Sequence, residues 1–316
     1  MSQPKKSSLR VAFQGEHGAF SEAAAIHLLG ESITTIPRPT FDSAFRAIAE
    51  SAADALLAPV ENSLAGSVVR VYDLLLESNL HIVAETILPI EHHLIGCPGA
   101  TLGNLRSVAS HPMALAQCER FFLSHPELKR VPAEDTAGSV RDVLASGDRS
   151  AAGIAGRQAA TRYGGVILSE SIQDNAENFT RFVLLIPVPG DALLNSADSA
   201  PPSSAAITDL MAELRTQRRD NSSANAKTLK LSLALKLAHK PGALLAALEP
   251  FARHGINLLK IESRPIHGSP WEYQFFLDVQ TEEPTKLQGA LQELERATSF
   301  LRVLGAYPPA SSENFS

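Results

Sequence analysis

Asn178-Phe179-Thr180-Arg181-Phe182 leads directly into the apolar run VLLIPV. Arginine offers a planar fork matched to a carboxylate, and threonine offers a neutral hydroxyl that donates or accepts. Side by side they suggest an anion clamp next to a proton donor. Successive side chains of a regular strand point to opposite faces. Thr180 and Arg181 therefore enter one cleft only if the strand begins after Arg181; otherwise one of the pair is structural. A second polar string, Pro59-Val60-Glu61-Asn62-Ser63, closes the apolar run from Ala55 and precedes a helix-like stretch. Amide and hydroxyl donors at such a junction, with the free N–H groups of a helix start, suit an anion. A simple helix cap by Asn62 or Ser63 explains the same string. Glu61 is a weaker candidate, because a carboxylate repels an anionic ligand unless protonated or turned away. Ser110-His111-Pro112 precedes MALAQC, and Pro112 suits a first helical turn. His111 is one of ten histidines and reads as a cap, leaving Ser110 as the better ligand contact.

These strings need elements to hold them. Short strand-like runs at 9–13, 55–60, 80–84, 87–95, 106–110, 151–155 and 166–169 alternate with helix-like stretches at 21–29, 41–48, 67–78, 113–123, 136–145 and 157–163. Thr40 is placed to cap the helix in which Phe41, Ala44, Phe45 and Ile48 recur with helical spacing. Alternation of this kind predicts an α/β layered fold on largely parallel sheets, with ligands beyond the carboxyl ends of the strands. The strings at 59–63 and 110–112 both lie at such ends. Residues 190–226, rich in Ala, Ser, Pro and Asn, read as a flexible linker with room for a short helix around 207–218. From 227 to 308 the order is strand, helix, strand, strand, helix, strand, a ferredoxin-like βαββαβ arrangement.

At 316 residues the chain is long for one core, which favours two domains. Acidic residues outnumber basic ones 34 to 28, so no excess of positive charge exists to neutralise nucleic acid. The N-terminal MSQPKKSS is followed by no signal-like apolar core, and no run is long enough to span a bilayer. Two cysteines, Cys97 and Cys118, are too few for a disulfide framework and read as small buried hydrophobes in a cytoplasmic protein. Neither metal-ligand spacing nor a phosphate-binding glycine loop occurs, so no cofactor is expected.

GALLAALEPFARHGINLL (242–259) followed by KIESRP (260–265) resembles the ligand-sensing ACT domain that follows the catalytic domain of prephenate dehydratases. PVENSLAGSV, SHPMALAQC and NFTRF stand in the order that family's catalytic domain requires. The resemblance implies a two-lobed, periplasmic-binding-protein-like domain over 8–189, with the site between its lobes, and an ACT domain over 227–308. It implies loss of water and carbon dioxide from prephenate to give phenylpyruvate, with Thr180 nearest the departing hydroxyl. Arg181, Asn62, Ser63, Ser110, Thr136 and Ser21 would contact substrate. Gly242, Ala243, Leu244, Leu245, Glu262, Ser263 and Arg264 would serve phenylalanine as allosteric effector, and ACT pairing implies a homodimer or homotetramer. Trp271 and Phe275 read as core. The loop Gln14-Gly15-Glu16-His17-Gly18-Ala19-Phe20-Ser21 departs from the common bacterial pattern, with Ala19 in place of a threonine, and looks more like plant arogenate dehydratases. Arogenate dehydratase is thus one alternative, and a non-catalytic binding protein is another.

Overall fold

In the computed structural model, residues 8–187, 228–266 and 272–310 are described; the expected linker at 190–226, the helix expected within it and Trp271 lie outside them. The first elements are β1 (Arg10–Gln14), α1 (Phe20–Leu29), β2 (Thr34–Arg38), α2 (Phe41–Ala49), β3 (Ala55–Asn62), β4 (Gly66–Ser67), α3 (Val69–Glu77) and β5 (Leu80–Pro89). There follow β6 (His93–Gly96), β7 (Ser107–Ser110), α4 (Pro112–Ala116), α5 (Glu119–Ser124), β8 (Lys129–Pro132), α6 (Thr136–Ser146), β9 (Ala151–Ala155), α7 (Arg157–Tyr163), β10 (Val166–Ser169) and β11 (Phe179–Pro187). The C-terminal part comprises β12 (Leu229–Lys236), α8 (Ala243–Arg253), β13 (Asn257–Pro265), β14 (Tyr273–Thr281), α9 (Pro284–Ala297) and β15 (Phe300–Tyr307). Contacts divide the chain into two compact units: residues up to 72 with 86–183, and 73–85 with the residues from 184 onward.

The first unit has two lobes. In one, β1 lies between β2 and β3 in parallel register, and β11 adjoins β3. In the other, the order is β10-β6-β9-β7-β8, with β7 parallel to its neighbours and β6 antiparallel to both of its own. Helices cover both faces of this second sheet. Leu94, Val108 and Ile154 pack against Leu115 and Phe122 on one side, while Ile95 and Ala155 meet Val140 and Ala159 on the other. Such two-sided burial explains why these strands read as unbroken apolar runs.

Local chemistry sets several boundaries. Thr40 and Ser43 form a reciprocal capping box at the start of α2. The single helix expected over 113–123 is two, because the Asp174 carboxylate accepts the N–H groups of Glu119 and Arg120 at 2.9 Å and starts α5 afresh. β5 continues to Pro89 and breaks at Ile90–His92 instead of near Thr86. β2 is an edge strand that contains Pro37, so it lacks a clear strand signature.

In the second unit β13-β14-β12-β15 form an antiparallel sheet. Leu231, Leu233 and Leu235 point from β12 into a core with Phe251 of α8 and Leu287 and Leu294 of α9. The alternate residues of β12 face the other way, and Lys230 and Ser232 among them are polar. Lys230 makes a buried pair with Glu85 at 2.9 Å, and the Ser232 hydroxyl lies 2.5 Å from Asp278 and 2.6 Å from the Tyr307 hydroxyl. Arg302 of β15 donates to the carbonyls of Leu76 (2.8 Å) and Ser78 (2.5 Å), satisfying acceptors that the end of α3 leaves open. Gly305 pairs with Ile82 so closely that a Cβ there would collide with the Ile82 carbonyl. Gly305→Ala is therefore expected to lower unfolding stability by about 1–3 kcal/mol, the usual cost of overpacking, read from denaturant titration.

Candidate active site

The end of β3 and the start of β11 meet at Asn62. Its side-chain oxygen accepts the backbone N–H groups of Leu64 (3.0 Å) and Ala65 (2.8 Å). Backbone N–H groups only donate, so the amide nitrogen must face the other way. That nitrogen donates to the Thr180 hydroxyl oxygen at 2.9 Å, to the Asn178 side-chain oxygen at 2.7 Å and to the Phe179 carbonyl at 3.1 Å. Asn178, fully buried, passes the contact on: its own amide donates to Gln117 Oε1 at 3.2 Å. The same oxygen lies 2.9 Å from His92 Nε2. Five side chains thus connect the two lobes of the first unit. Thr180 accepts from Asn62, and its own proton has no acceptor among the described residues. A hydroxyl so placed is ready to donate.

β11 begins at Phe179, so Thr180 and Arg181 stand on opposite faces. Asn62 meets Thr180, whereas Glu61, its neighbour on β3, lies 3.8 Å from Arg181 Nε. Arg181 is thus set apart from the hydroxyl it was expected to assist.

The hydroxyls of Ser63 and Ser110, both expected to meet substrate, have partners within the chain. The Ser63 hydroxyl donates to the Glu177 carbonyl (2.9 Å) and accepts from Phe179 N–H (2.9 Å), so it braces β11 instead of presenting itself to a ligand. Ser110 is fully buried, with its proton spent on the Ile154 carbonyl at 2.7 Å. His111 caps α4 through Nδ1, as its position before Pro112 suggests. Thr136 is the first residue of α6 and half-buried, behind Asp135, whose carboxylate caps the helix through Gly138 N–H at 2.6 Å. Ser21 is buried in the first turn of α1 and is not part of the chain of amides. Gln117 and Asn178 were not singled out from sequence, although both fall inside strings that were.

The loop 15–21 joins the lobes on another side. Glu16 pairs with Arg141 of α6 at 2.8 Å, and Tyr163 of α7 donates to the His17 carbonyl at 2.8 Å. Gly18, at φ +85°, passes so near Ala159 that a Cβ would lie 2.9 Å from its Cα. Burial alone would raise the Glu22 carboxyl, but Gly18 N–H, the Thr35 hydroxyl and the His17 ring, each at 2.6 Å, hold it below the ordinary value. Burial pushes the Cys118 thiol up to about 12, so it is no reactive thiolate at neutral pH; Cys97 is also buried. Among the described residues no group of three His, Cys, Asp or Glu is arranged to hold a metal.

In the second unit a hollow of about 150 Å³ is lined by Leu237, His239, Lys240, Ala243, Leu244 and Phe275, among others. Gly242, at φ +80°, turns the chain into α8 beside it. Leu245 is 73% exposed and points elsewhere. Glu262, Ser263 and Arg264 lie on the edge strand β13 and do not line the hollow; Arg264 reaches Asp73 at 3.6 Å. Phe275, expected as core, packs on the core and also lines the hollow.

A lowered Glu22 carboxyl stabilises the fold above the ordinary carboxylate range, near about pH 4.3, and the contribution fades as pH falls through the lowered value. The stability gap between wild type and Glu22→Gln is therefore expected to be widest near neutrality and to close in acid, by urea unfolding at stepped pH.

Residues 11–188 match the family described as prephenate dehydratase, and residues 232–296 match the ACT domain. The chain is 37% identical over 312 residues to "Arogenate dehydratase/prephenate dehydratase 2, chloroplastic" of Arabidopsis thaliana, covering 96% of this chain and 73% of that one. It is similar to the solved structure of prephenate dehydratase from Arthrobacter aurescens in complex with L-Phe: TM-score 0.76, 29% identity, 97% and 91% of the two chains covered. A structure described as GqqA, a novel type of quorum quenching acylase, aligns with TM-score 0.76 and 30% identity over 97% and 99%. No helix among the described residues is long and apolar enough to cross a membrane. With a two-lobed α/β catalytic part and a βαββαβ unit following it in sequence, the chain belongs to the prephenate dehydratase family of lyases and carries that family's C-terminal ACT domain.

Proposed function

We propose that the protein converts prephenate to phenylpyruvate, with Thr180 as the hydrogen-bond donor to the leaving ring hydroxyl. The observation that carries this reading is the direction of the contact at Thr180: Asn62 gives a proton to its oxygen, which leaves the threonine's proton to give away. As the bond to the ring carboxylate breaks, its electron pair enters the ring and carbon dioxide departs. The carbon–oxygen bond breaks in concert, and the hydroxide takes up a proton and leaves as water. Aromatisation drives the step, so positioning and a weak acid suffice. Gln117 Oε1 is occupied by two donors, His92 and Asn178. Asn62 and Thr136 remain candidate contacts, and Arg181 with Glu61 ties the ends of the two strands together.

Acylase activity of the kind in the description of GqqA would call for an activated nucleophile. The hydroxyls of Ser63 and Ser110 are committed to backbone carbonyls, which favours the dehydratase reading over that one. Arogenate, with an ammonium in place of the keto group, would undergo the same chemistry at the same hydroxyl. Rates on the two substrates side by side decide between them.

Phenylalanine is assigned to the hollow beside Gly242, as feedback effector. Edge strand β13, with Leu259 and Ile261 exposed, is assigned to pairing with a second ACT domain in a homodimer or homotetramer. Two enclosed free thiols suit a reducing cytoplasm.

Thr180→Ala is expected to lower kcat by more than about a hundredfold with the melting transition retained, in a phenylpyruvate absorbance assay; wild-type turnover would remove Thr180 from the mechanism. Ala243→Leu fills the hollow, so phenylalanine should cease to slow the reaction while the rate without it stays at the wild-type level; undiminished inhibition would place the effector elsewhere.

A further inference from the structure

The chain of amides that ends at Thr180 has a direction, and two arrangements compete. In one, the Asn178 nitrogen points toward Gln117 and the Asn62 nitrogen toward Thr180, and the threonine keeps its proton. In the other, every amide is flipped, Asn62 accepts the threonine's proton, and that proton is no longer available. The two ends of the chain decide between them. At the Asn62 end the deciding donors are the N–H groups of Leu64 and Ala65, in a loop where Leu64 is 45% exposed and water competes. The other end is His92, only 3% exposed.

We propose that His92 is a positioning residue: by donating from Nε2 to Gln117 it fixes the direction of the chain and keeps the Thr180 proton free. This rests on the assignment of Thr180 as donor. His92 is built as a fixed post. Its backbone N–H donates to Gln173 Oε1 at 2.9 Å, its carbonyl accepts from Ile172 N–H at 2.8 Å, and the Phe20 ring meets its ring edge-on at 5.8 Å. The tautomer follows from burial. Nδ1 is enclosed without a partner among the described residues. A buried N–H lacking an acceptor is costlier than a bare ring nitrogen lacking a donor, so the proton belongs on Nε2. Burial, with the adjacent His93, lowers the pKa of this ring despite the Gln117 contact, which keeps it neutral. Gln117 Oε1 then receives two donors, His92 and Asn178, and cannot flip without facing donor against donor. Asn178 is locked in turn with its oxygen toward Asn62.

The test compares His92→Phe, which keeps a ring against Phe20 but loses the N–H, with His92→Gln, whose amide reaches the same place with a donor. Each is measured for kcat, KM and melting temperature on the full chain, alone and combined with Thr180→Ala. His92→Phe should lower kcat about tenfold with little change in KM, corresponding to one directed hydrogen bond, and His92→Gln should restore most of it. In the Thr180→Ala background His92→Phe should cost nothing further, because the group it serves is gone. A second tenfold loss in that background would show that His92 acts independently of Thr180, and the proposal would fall. It would fall equally if His92→Phe turned over like wild type, or if His92→Gln were as slow as His92→Phe. Wild-type turnover by Thr180→Ala alone would instead overturn the assignment of the donor.

Discussion

One side-chain amide sets the polarity of the contacts around Thr180. Asn62 has its oxygen claimed by two backbone N–H groups at the end of β3, which leaves its nitrogen to reach across to β11. A backbone donor cannot reverse, so the main chain sets one end of the run of amides, while the buried His92 ring stands at the other. Net, each of these hydrogen bonds contributes only about 1 kcal/mol to folding. Their larger effect is to choose among orientations of similar energy. A threonine that keeps its proton and one that has spent it differ by a single rotation, and that difference separates a proton donor from a packed core residue.

The same logic separates what could be read from sequence from what could not. The second unit was legible almost element by element, because each strand has one apolar face and each helix one apolar stripe, and neither depends on distant residues. The break between α4 and α5 was not, since the carboxylate that causes it, Asp174, lies more than fifty residues away. Ser63 and Ser110 mark a general limit. Sequence reveals a hydroxyl, but whether its proton is already committed depends on carbonyls such as Ile154 O, which only the folded chain brings near. Gln117 and Asn178 were overlooked for the converse reason: neutral amides carry no special chemistry until their neighbours orient them. The alternation of side chains along a strand did bear on the site correctly, by requiring Thr180 and Arg181 to part once β11 begins at Phe179.

Polar burial is distributed unevenly between the units. In the first it includes His92, Asn178 and Thr180 of the amide chain. In the second it lies on the sheet face turned away from α8 and α9, as the Lys230–Glu85 pair and the Ser232, Asp278 and Tyr307 cluster. Buried pairs of this kind add little net stability, yet they penalise any alternative partner for that face.

Physical and sequence boundaries therefore do not coincide. The family match for the catalytic part runs through to residue 188, whereas contacts place residues 73–85 with the C-terminal sheet. Arg302 shows what this means for inheritance. The helix that follows the Asn62 turn is finished by a guanidinium encoded more than two hundred residues later. A sensor module traded between relatives by recombination would have to bring a matching arginine with it, or leave the host enzyme with a frayed helix.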